Sequence, residues 1–304
     1  MKEVLIFLLL LTFFTAESTF CQDTEPATLS LTLKDSFRGN RKIPLKIFYP
    51  GILSEQQNNS RSMASEIFPA IIFAHGYLMK ADEYEPVCRM LVREGYIVVF
   101  PCSERGWFPS HRDLADDIAY VAADISRIGS DPSSPLYGHV GENICLMGHS
   151  MGGGASFLAA AKGVKAAAIV TFAAFDTRPS AVSAAAEVTL PGLIFAGSRD
   201  CITPPEKHQI PMFNALASSS KTYILLKGGS HCNMGSESKK CNRAEKISGC
   251  HTGSMETGEI TSLIGRYLLP WLRFYLKNDL SSGKCFNEEL KTGEGIEYLQ
   301  SGQL

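Results

Sequence analysis

Cys145-Leu146-Met147-Gly148-His149-Ser150-Met151-Gly152-Gly153-Gly154 is the stretch that decides how this chain folds. Within it, Gly148 to Gly152 fits the pattern G-x-S-x-G. There a serine sits on a strained turn between a strand and a helix, and close packing leaves room only for glycine on either side. A pattern this short also arises by chance, so its flanks must be read. Asn143-Ile144-Cys145-Leu146-Met147 is a short, mostly apolar run, as a buried strand should be. Ala155 to Ala161 is rich in helix formers. The order strand, tight turn, helix is present, and Ser150 is the candidate nucleophile. The plainer reading is a glycine-rich turn carrying a structural serine.

Outward from this turn the chain alternates. Upstream, Thr28–Lys34 and Pro44–Tyr49 read as two antiparallel strands joined by Arg38-Gly39-Asn40, an edge hairpin. Pro69–Ala74 and Tyr96–Phe100 are continuous apolar runs separated by a helical stretch, Glu83–Glu94. Such runs indicate parallel strands covered on both faces. A helix is expected over Asp113–Ile128. Downstream come strands at Ala166–Phe172, Gly192–Ala196 and Thr222–Leu226, with helices over Pro205–Ala217 and Glu259–Leu276. The expected fold class is α/β: a mostly parallel twisted sheet with helices on both faces.

The chain has 304 residues and a formal net charge of -2 with both signs dispersed. No basic stripe marks a nucleic-acid partner. Residues 1–18 have the order of a signal peptide: Lys2, an apolar stretch from Val4 to Phe14, then small residues with Ala16 and Ser18 at the cleavage site. The apolar run falls short of the roughly 20 residues of a spanning helix. Secretion is therefore expected, with residues 19–304 forming one domain, no integral membrane segment after processing, and a monomeric state. Nine cysteines behind such a leader read as disulfide partners. Cys145, inside the strand leading to Ser150, is the candidate free thiol. A zinc site at Cys232, Cys241, Cys250 and His251 is disfavoured because no C-x-x-C pair is present. Asn58-Asn59-Ser60 is a glycosylation sequon.

A serine hydroxyl needs a histidine to take its proton and an acid to orient that histidine. In sheets carrying this elbow the chain order is serine, acid, histidine. Three histidines follow Ser150. His231 stands in a glycine loop, Lys227-Gly228-Gly229-Ser230-His231, directly after a predicted strand, whereas His208 falls in a predicted helix and His251 in a cysteine-bearing segment. Asp200 and Asp176 compete as the acid. Asp200 leads because its loop, Gly197 to Pro205, is tight and ends at a proline-started helix; Asp176 is otherwise a turn or cap residue. Negative charge on the former carbonyl oxygen needs preset N–H donors. Met151, directly after the nucleophile, and Tyr77, in the loop Ala74-His75-Gly76-Tyr77, supply them. His75 and His149 are read as bracing or packing residues.

With these residues placed, the chain resembles the polyesterase, lipase and cutinase branch of the α/β-hydrolases, which includes cutinase-like polyester hydrolases. Carrying the resemblance are Ser134-Pro135-Leu136-Tyr137-Gly138, Met147 to Gly154, Leu193-Ile194-Phe195-Ala196 and Gly228-Gly229-Ser230-His231. Members of that branch are similar to dienelactone hydrolases, and plant chlorophyllases and platelet-activating-factor acetylhydrolases are more distant likenesses. The resemblance implies an aromatic clamp beside the serine, with Tyr77 as one jaw and Phe175 approximately matching the other; the alternative places Phe175 in the core. It also implies a bridge near the active site. Cys201 and Cys232 each follow a proposed triad residue and are the expected pair, with Cys241 joined to Cys250. The segment Gly235–Thr257 is longer and richer in cysteine than the family pattern.

The functional expectation is a secreted serine hydrolase that cleaves carboxylic esters, of small molecules, lipids or polyesters, through an acyl-enzyme, without metal or organic cofactor. A lipase or phospholipase acting at lipid surfaces is the nearest rival. A non-catalytic binding protein on the same fold is the rival of another class.

Overall fold

The apolar runs around Ser150 become the centre of a nine-stranded sheet. A computed structural model describes residues 25–56, 66–248 and 255–304. The predicted signal peptide, the sequon, Cys21, Cys250 and His251 lie outside the described residues. The strands are β1 (Pro26–Asp35), β2 (Arg41–Pro50), β3 (Phe68–Ala74), β4 (Ile97–Pro101), β5 (Val140–His149), β6 (Ala168–Phe172), β7 (Gly192–Gly197), β8 (Lys221–Leu226) and β9 (Ile296–Ser301). Their order across the sheet is β1-β2-β4-β3-β5-β6-β7-β8-β9. Strands β3 to β8 run parallel, and β1, β2 and β9 make the antiparallel edges. The expected edge hairpin turns at Gly39 and Asn40, both in the left-handed region. Glycine and asparagine tolerate that region best.

The helices are α1 (Ile52–Gln56), α2 (Glu85–Arg93), α3 (His111–Ala123), α4 (Ile125–Ile128), α5 (Met151–Ala160), α6 (Ala181–Ala185), α7 (Gln209–Ala215), α8 (Lys239–Ile247), α9 (Thr257–Lys277) and α10 (Leu280–Thr292). Alternate residues of the same strands feed two cores, as a sheet covered on both faces requires. Ile72, Ile144 and Leu146 pack with Leu114 and Ile118 of α3 and Phe157 of α5. Ile71, Phe73, Cys145 and Met147 pack on the opposite face with Leu91 of α2 and Ile264, Leu268 and Trp271 of α9. Each such side chain is worth roughly 1.5–3 kcal/mol when fully buried. Cys145 is a buried free thiol whose burial pushes its pKa up.

Two helices differ from expectation. The helix expected over Asp113–Ile128 breaks at Asp124, which leaves helical geometry and separates α3 from α4. The helix expected from Pro205 starts only at Gln209. Pro211 lacks an N–H and fits only the first turn of a helix, so a start at residue 205 would have lost an internal hydrogen bond there. The apolar periodicity after Leu276 is weak, and α10 and β9 carried no sequence expectation.

Candidate active site

Register places the candidate residues together. Ala74 of β3 lies beside Gly148 of β5, His149 beside Phe172 of β6, and Gly197 of β7 beside Leu226 of β8. The loops that follow these strands therefore meet along one edge, outside the carboxyl ends of the strands.

Ser150 stands between β5 and α5 at φ 54 and ψ -121. For a residue with a Cβ this conformation costs about 1–3 kcal/mol and persists only where the surroundings enforce it. Here they do. A Cβ on Gly148 would strike the carbonyl of Gly152, and one on Gly152 would strike the carbonyl oxygens of Ala74 and His75. A Cβ on Gly154 would meet the carbonyl of Phe175. The glycines let the backbones of β3, β5 and the loop after β6 close around the serine.

From Ser150 a chain of hydrogen bonds runs through His231 to Asp200. His231 Nε2 lies 2.9 Å from Ser150 Oγ, and His231 Nδ1 lies 2.9 Å from Asp200 Oδ2. All three side chains are almost fully buried. Asp200 Oδ1 accepts the N–H groups of Ile202 at 2.9 Å and Thr203 at 2.7 Å, and Oδ2 accepts from Thr203 Oγ1 at 2.7 Å. With its oxygens held this way, the carboxylate fixes Nδ1–H on the imidazole and leaves Nε2 free to accept the serine proton. Thr203 escaped the sequence reading, although its position three residues after Asp200 in a tight loop was the available signal. The competing acid, Asp176, accepts from Ser180 Oγ and Val182 N and caps α6 instead.

The two candidate oxyanion donors sit on either side of the elbow. Met151 is the first residue of α5, so its N–H has no acceptor within the helix. Tyr77 lies in the turn closed by Met79 N–H to Gly76 O at 3.1 Å. A one-way chain ties this turn to the histidine loop. Gly76 N–H donates to Tyr84 Oη at 2.8 Å, Tyr84 O–H to His149 Nδ1 at 3.0 Å, and His149 Nε2–H to the His231 carbonyl at 2.9 Å. The carbonyl demands a proton on Nε2, which makes Nδ1 the acceptor. Burial first, then the neighbouring His231, pulls the His149 pKa down to about 3, so the ring stays neutral. His75 braces the same turn from the other side, with Nε2 2.8 Å from the Ser103 carbonyl. Ser103 Oγ in turn donates to Asp117, a fully buried carboxylate that also receives Arg38 and Arg41 from the edge hairpin.

A family model described as PET hydrolase-like matches residues 60–294. The chain belongs to the PET hydrolase-like family. Cutinase 1 of Thermobifida cellulosilytica is 30% identical over 137 residues, which cover 45% of this chain and 42% of that protein. A cutinase of Thermobifida fusca is 30% identical over 137 residues, covering 45% of this chain and 36% of that protein. Cutinase 2 of T. cellulosilytica is 28% identical over 152 residues, covering 49% of this chain and 48% of that protein. The matches thus span less than half the length of these relatives.

Two aromatic residues of this PET hydrolase-like chain, Tyr77 and Phe175, adjoin the elbow, and Tyr77 leads to an exposed pair at residues 107 and 108. Tyr77 is half exposed and its hydroxyl donates to the Trp107 carbonyl at 2.8 Å. Trp107 is 73% exposed and Phe108 98% exposed. Phe175 is not in the core: it is partly exposed, with its ring centroid 5.2 Å from His208 and 6.2 Å from His111. Its N–H donates to the Ser150 carbonyl at 2.9 Å, so its backbone belongs to the elbow packing.

The histidine loop departs most from the sequence expectation. Cys232 is bridged to Cys241, so neither the Cys201–Cys232 pair nor the Cys241–Cys250 pair forms. Asp200 and His231 are hydrogen-bonded as expected, but the Cys201 side chain is exposed while Cys232 is buried against α8. Backbones brought together by one hydrogen bond do not thereby aim their Cβ atoms at each other. Cys201 is itself disulfide-bonded. Within the long segment after His231, α8 is capped by Ser238 and docked by Ser238 Oγ to Glu83 Oε1 at 2.5 Å. It carries the buried Glu245 back to the histidine loop, a placement for which the sequence offered no signal.

Proposed function

We propose that this chain is a secreted serine hydrolase that cleaves carboxylic esters through a covalent acyl-enzyme. The observation that carries the reading is the Ser150–His231–Asp200 hydrogen-bond chain at the carboxyl edge of the sheet. Ser150 Oγ attacks the ester carbonyl while His231 Nε2 takes its proton. Asp200 keeps Nδ1–H fixed and stabilises the imidazolium. The N–H groups of Tyr77 and Met151 hold the oxyanion, and donors of this kind are worth roughly a hundredfold to a thousandfold in turnover each. The tetrahedral adduct collapses, His231 returns the proton to the departing alcohol, and a water activated by the same histidine releases the acid. Family membership favours ester substrates, and the disulfide together with the apolar leader sequence favours an oxidising, extracytoplasmic compartment.

Tyr77 and Phe175 favour esters with bulky apolar groups, which such rings grip by burial and stacking. A lipid-surface lipase is the second reading, favoured by the high exposure of Trp107 and Phe108. Both readings are tested with an ester panel of increasing acyl length, dispersed and aggregated, on wild type and Ser150→Ala. Wild type is expected to hydrolyse p-nitrophenyl butyrate and react with a fluorophosphonate, and Ser150→Ala to lose on the order of 10⁴-fold or more. A rate that jumps only when long-chain esters aggregate selects the lipase. Equal behaviour of wild type and Ser150→Ala, with no probe labelling, returns the chain to a binding role.

A further inference from the structure

The triad accounts for Asp200, but a second carboxylate, on α8, is also buried at the histidine loop. Glu245 is 1% exposed. Its Oε1 accepts the N–H of His231 at 2.6 Å and that of Cys232 at 3.3 Å, and its Oε2 accepts from Ser230 Oγ at 3.0 Å. Three consecutive residues centred on His231 thus hang from one side chain. The loop's other ties are Ser230 N–H to Asn233 Oδ1 at 2.9 Å, Ser236 Oγ–H to the Cys232 carbonyl at 2.7 Å, and His149 Nε2–H to the His231 carbonyl at 2.9 Å. The Cys232–Cys241 bridge holds α8 against this loop, with Glu245 one helical turn beyond Cys241.

We infer that Glu245 is a positioning residue for His231: it fixes the backbone from Ser230 to Cys232 so that Nε2 points at Ser150. The inference rests on the proposed hydrolase reading. It assigns a function to the cysteine-rich segment, which builds an external clamp on the base. Upstream, Gly228 N–H donates to Ser198 Oγ at 2.9 Å and Gly229 is bonded to Leu226 and Arg199, so the entry to the loop is fixed. From Ser230 onward the backbone depends on side-chain contacts, and without the clamp the imidazole would wander relative to Ser150. Misplacement by about 1 Å is enough to cost on the order of a hundredfold in rate.

Hydrogen-bond geometry and charge make opposite forecasts for two substitutions. In Glu245→Gln the amide oxygen can take the place of Oε1 and accept both N–H groups, while the amide nitrogen donates to Ser230 Oγ, whose hydroxyl turns to accept. The shape of the clamp is kept and the charge is lost. In Glu245→Asp the charge is kept, but the shorter side chain must pull the loop or release it. Steady-state hydrolysis of p-nitrophenyl butyrate and thermal unfolding are measured for wild type, both variants, Glu245→Ala, and Lys246→Gln as an exposed control on the same helix. The expected result is Glu245→Gln and Lys246→Gln within about threefold of wild-type kcat. Glu245→Asp and Glu245→Ala should fall roughly 10- to 100-fold in kcat with KM changed less than about twofold. A folded Glu245→Asp with wild-type kcat overturns the inference. So does a Glu245→Gln as impaired as Glu245→Asp, which would assign the effect to charge. If Glu245→Ala does not fold, the Gln and Asp pair still decides. Failure of the underlying hydrolase reading looks different, because wild type would then show no Ser150-dependent turnover at all.

Discussion

The elbow that holds Ser150 and the loop that holds His231 solve the same problem with different materials. At the elbow, backbone packs on backbone. Gly148, Gly152 and Gly154 bring carbonyls of β3, of α5 and of the loop after β6 into places where any Cβ would collide. At the histidine loop, side chains do the holding: Glu245, Asn233, Ser236 and a disulfide reach across from residues 2 to 14 positions away. Packing of backbone is rigid and intolerant, whereas a clamp of side chains can be retuned one contact at a time. Under the proposed hydrolase reading both are needed, because a nucleophile at Ser150 must be strained into place and a base at His231 must pass its proton from Ser150 to a leaving group.

The sharpest way to break this contrast is Gly152→Ala. The added methyl would meet the carbonyl oxygens of Ala74 and His75, and neither is the end of a flexible side chain that could step aside. Either α5 shifts, carrying Ser150 and Met151 N–H with it, or the Tyr77 turn is pushed out. Turnover should drop more than about a hundredfold, with stability lowered by about 1–3 kcal/mol from overpacking. Fluorophosphonate labelling rates and urea unfolding measure the two effects separately. Near-normal labelling would show that the elbow has slack and that its glycines are not the reason it is rigid.

The same contrast explains what the sequence could reveal. A backbone device leaves a compositional mark, since only glycine satisfies it, and so Gly148 to Gly154 pointed to Ser150 and to the strand and helix beside it. The sheet was legible for a related reason: strands buried on both faces must be apolar throughout, as Ile71 to Ala74 and Ile97 to Phe100 are. A side-chain device leaves no such mark. Glu245 is an ordinary glutamate among Lys239, Lys240, Arg243 and Lys246, and nothing local distinguishes it from a solvated one. The disulfides went wrong in the same way, because pairing follows the direction of Cβ atoms rather than sequence proximity to Asp200 and His231. The positions of Asp200 and His231 beside each other were legible because each follows an apolar strand in a short loop; Thr203, three residues after Asp200, left a local signal that was missed, and Tyr84, which holds the Tyr77 turn, acts through a contact 65 positions away in the chain.

Tyr84→Phe tests the joint between the two regions with a smaller expected effect. The substitution keeps the ring that packs on Phe73 and Phe100 but removes the hydroxyl that links Gly76 N–H to His149 Nδ1. Each orphaned buried group costs about 1–3 kcal/mol. The expected outcome is a stability loss of that order with KM unchanged and kcat lowered less than in Gly152→Ala. A variant as stable as wild type in urea would mean that the elbow and the histidine loop are held independently.

Acid is a graded probe, with the smallest effect per pH unit, and it acts on the residue where the two regions meet. His149 follows the strand that ends at the elbow, and its Nε2–H holds the carbonyl of His231 in the other region. Folded, its pKa lies at about 3, whereas the free side chain titrates at 6.5, so between these values the unfolded chain binds a proton that the folded chain refuses. Stability therefore falls as pH drops through that window and is unaffected by this group above it. His75, also lowered chiefly by burial, adds a slope of the same sign. Across the full window His149 alone should account for a few kcal/mol, at about 1.4 kcal/mol per pH unit. His149→Gln preserves an N–H donor for the His231 carbonyl but cannot titrate, so its stability should fall less steeply than wild type from pH 6.5 downward in urea melts taken at each pH. Parallel slopes for the two proteins would show that the ring is reached by water before the fold gives way, and that the seam between elbow and histidine loop opens first.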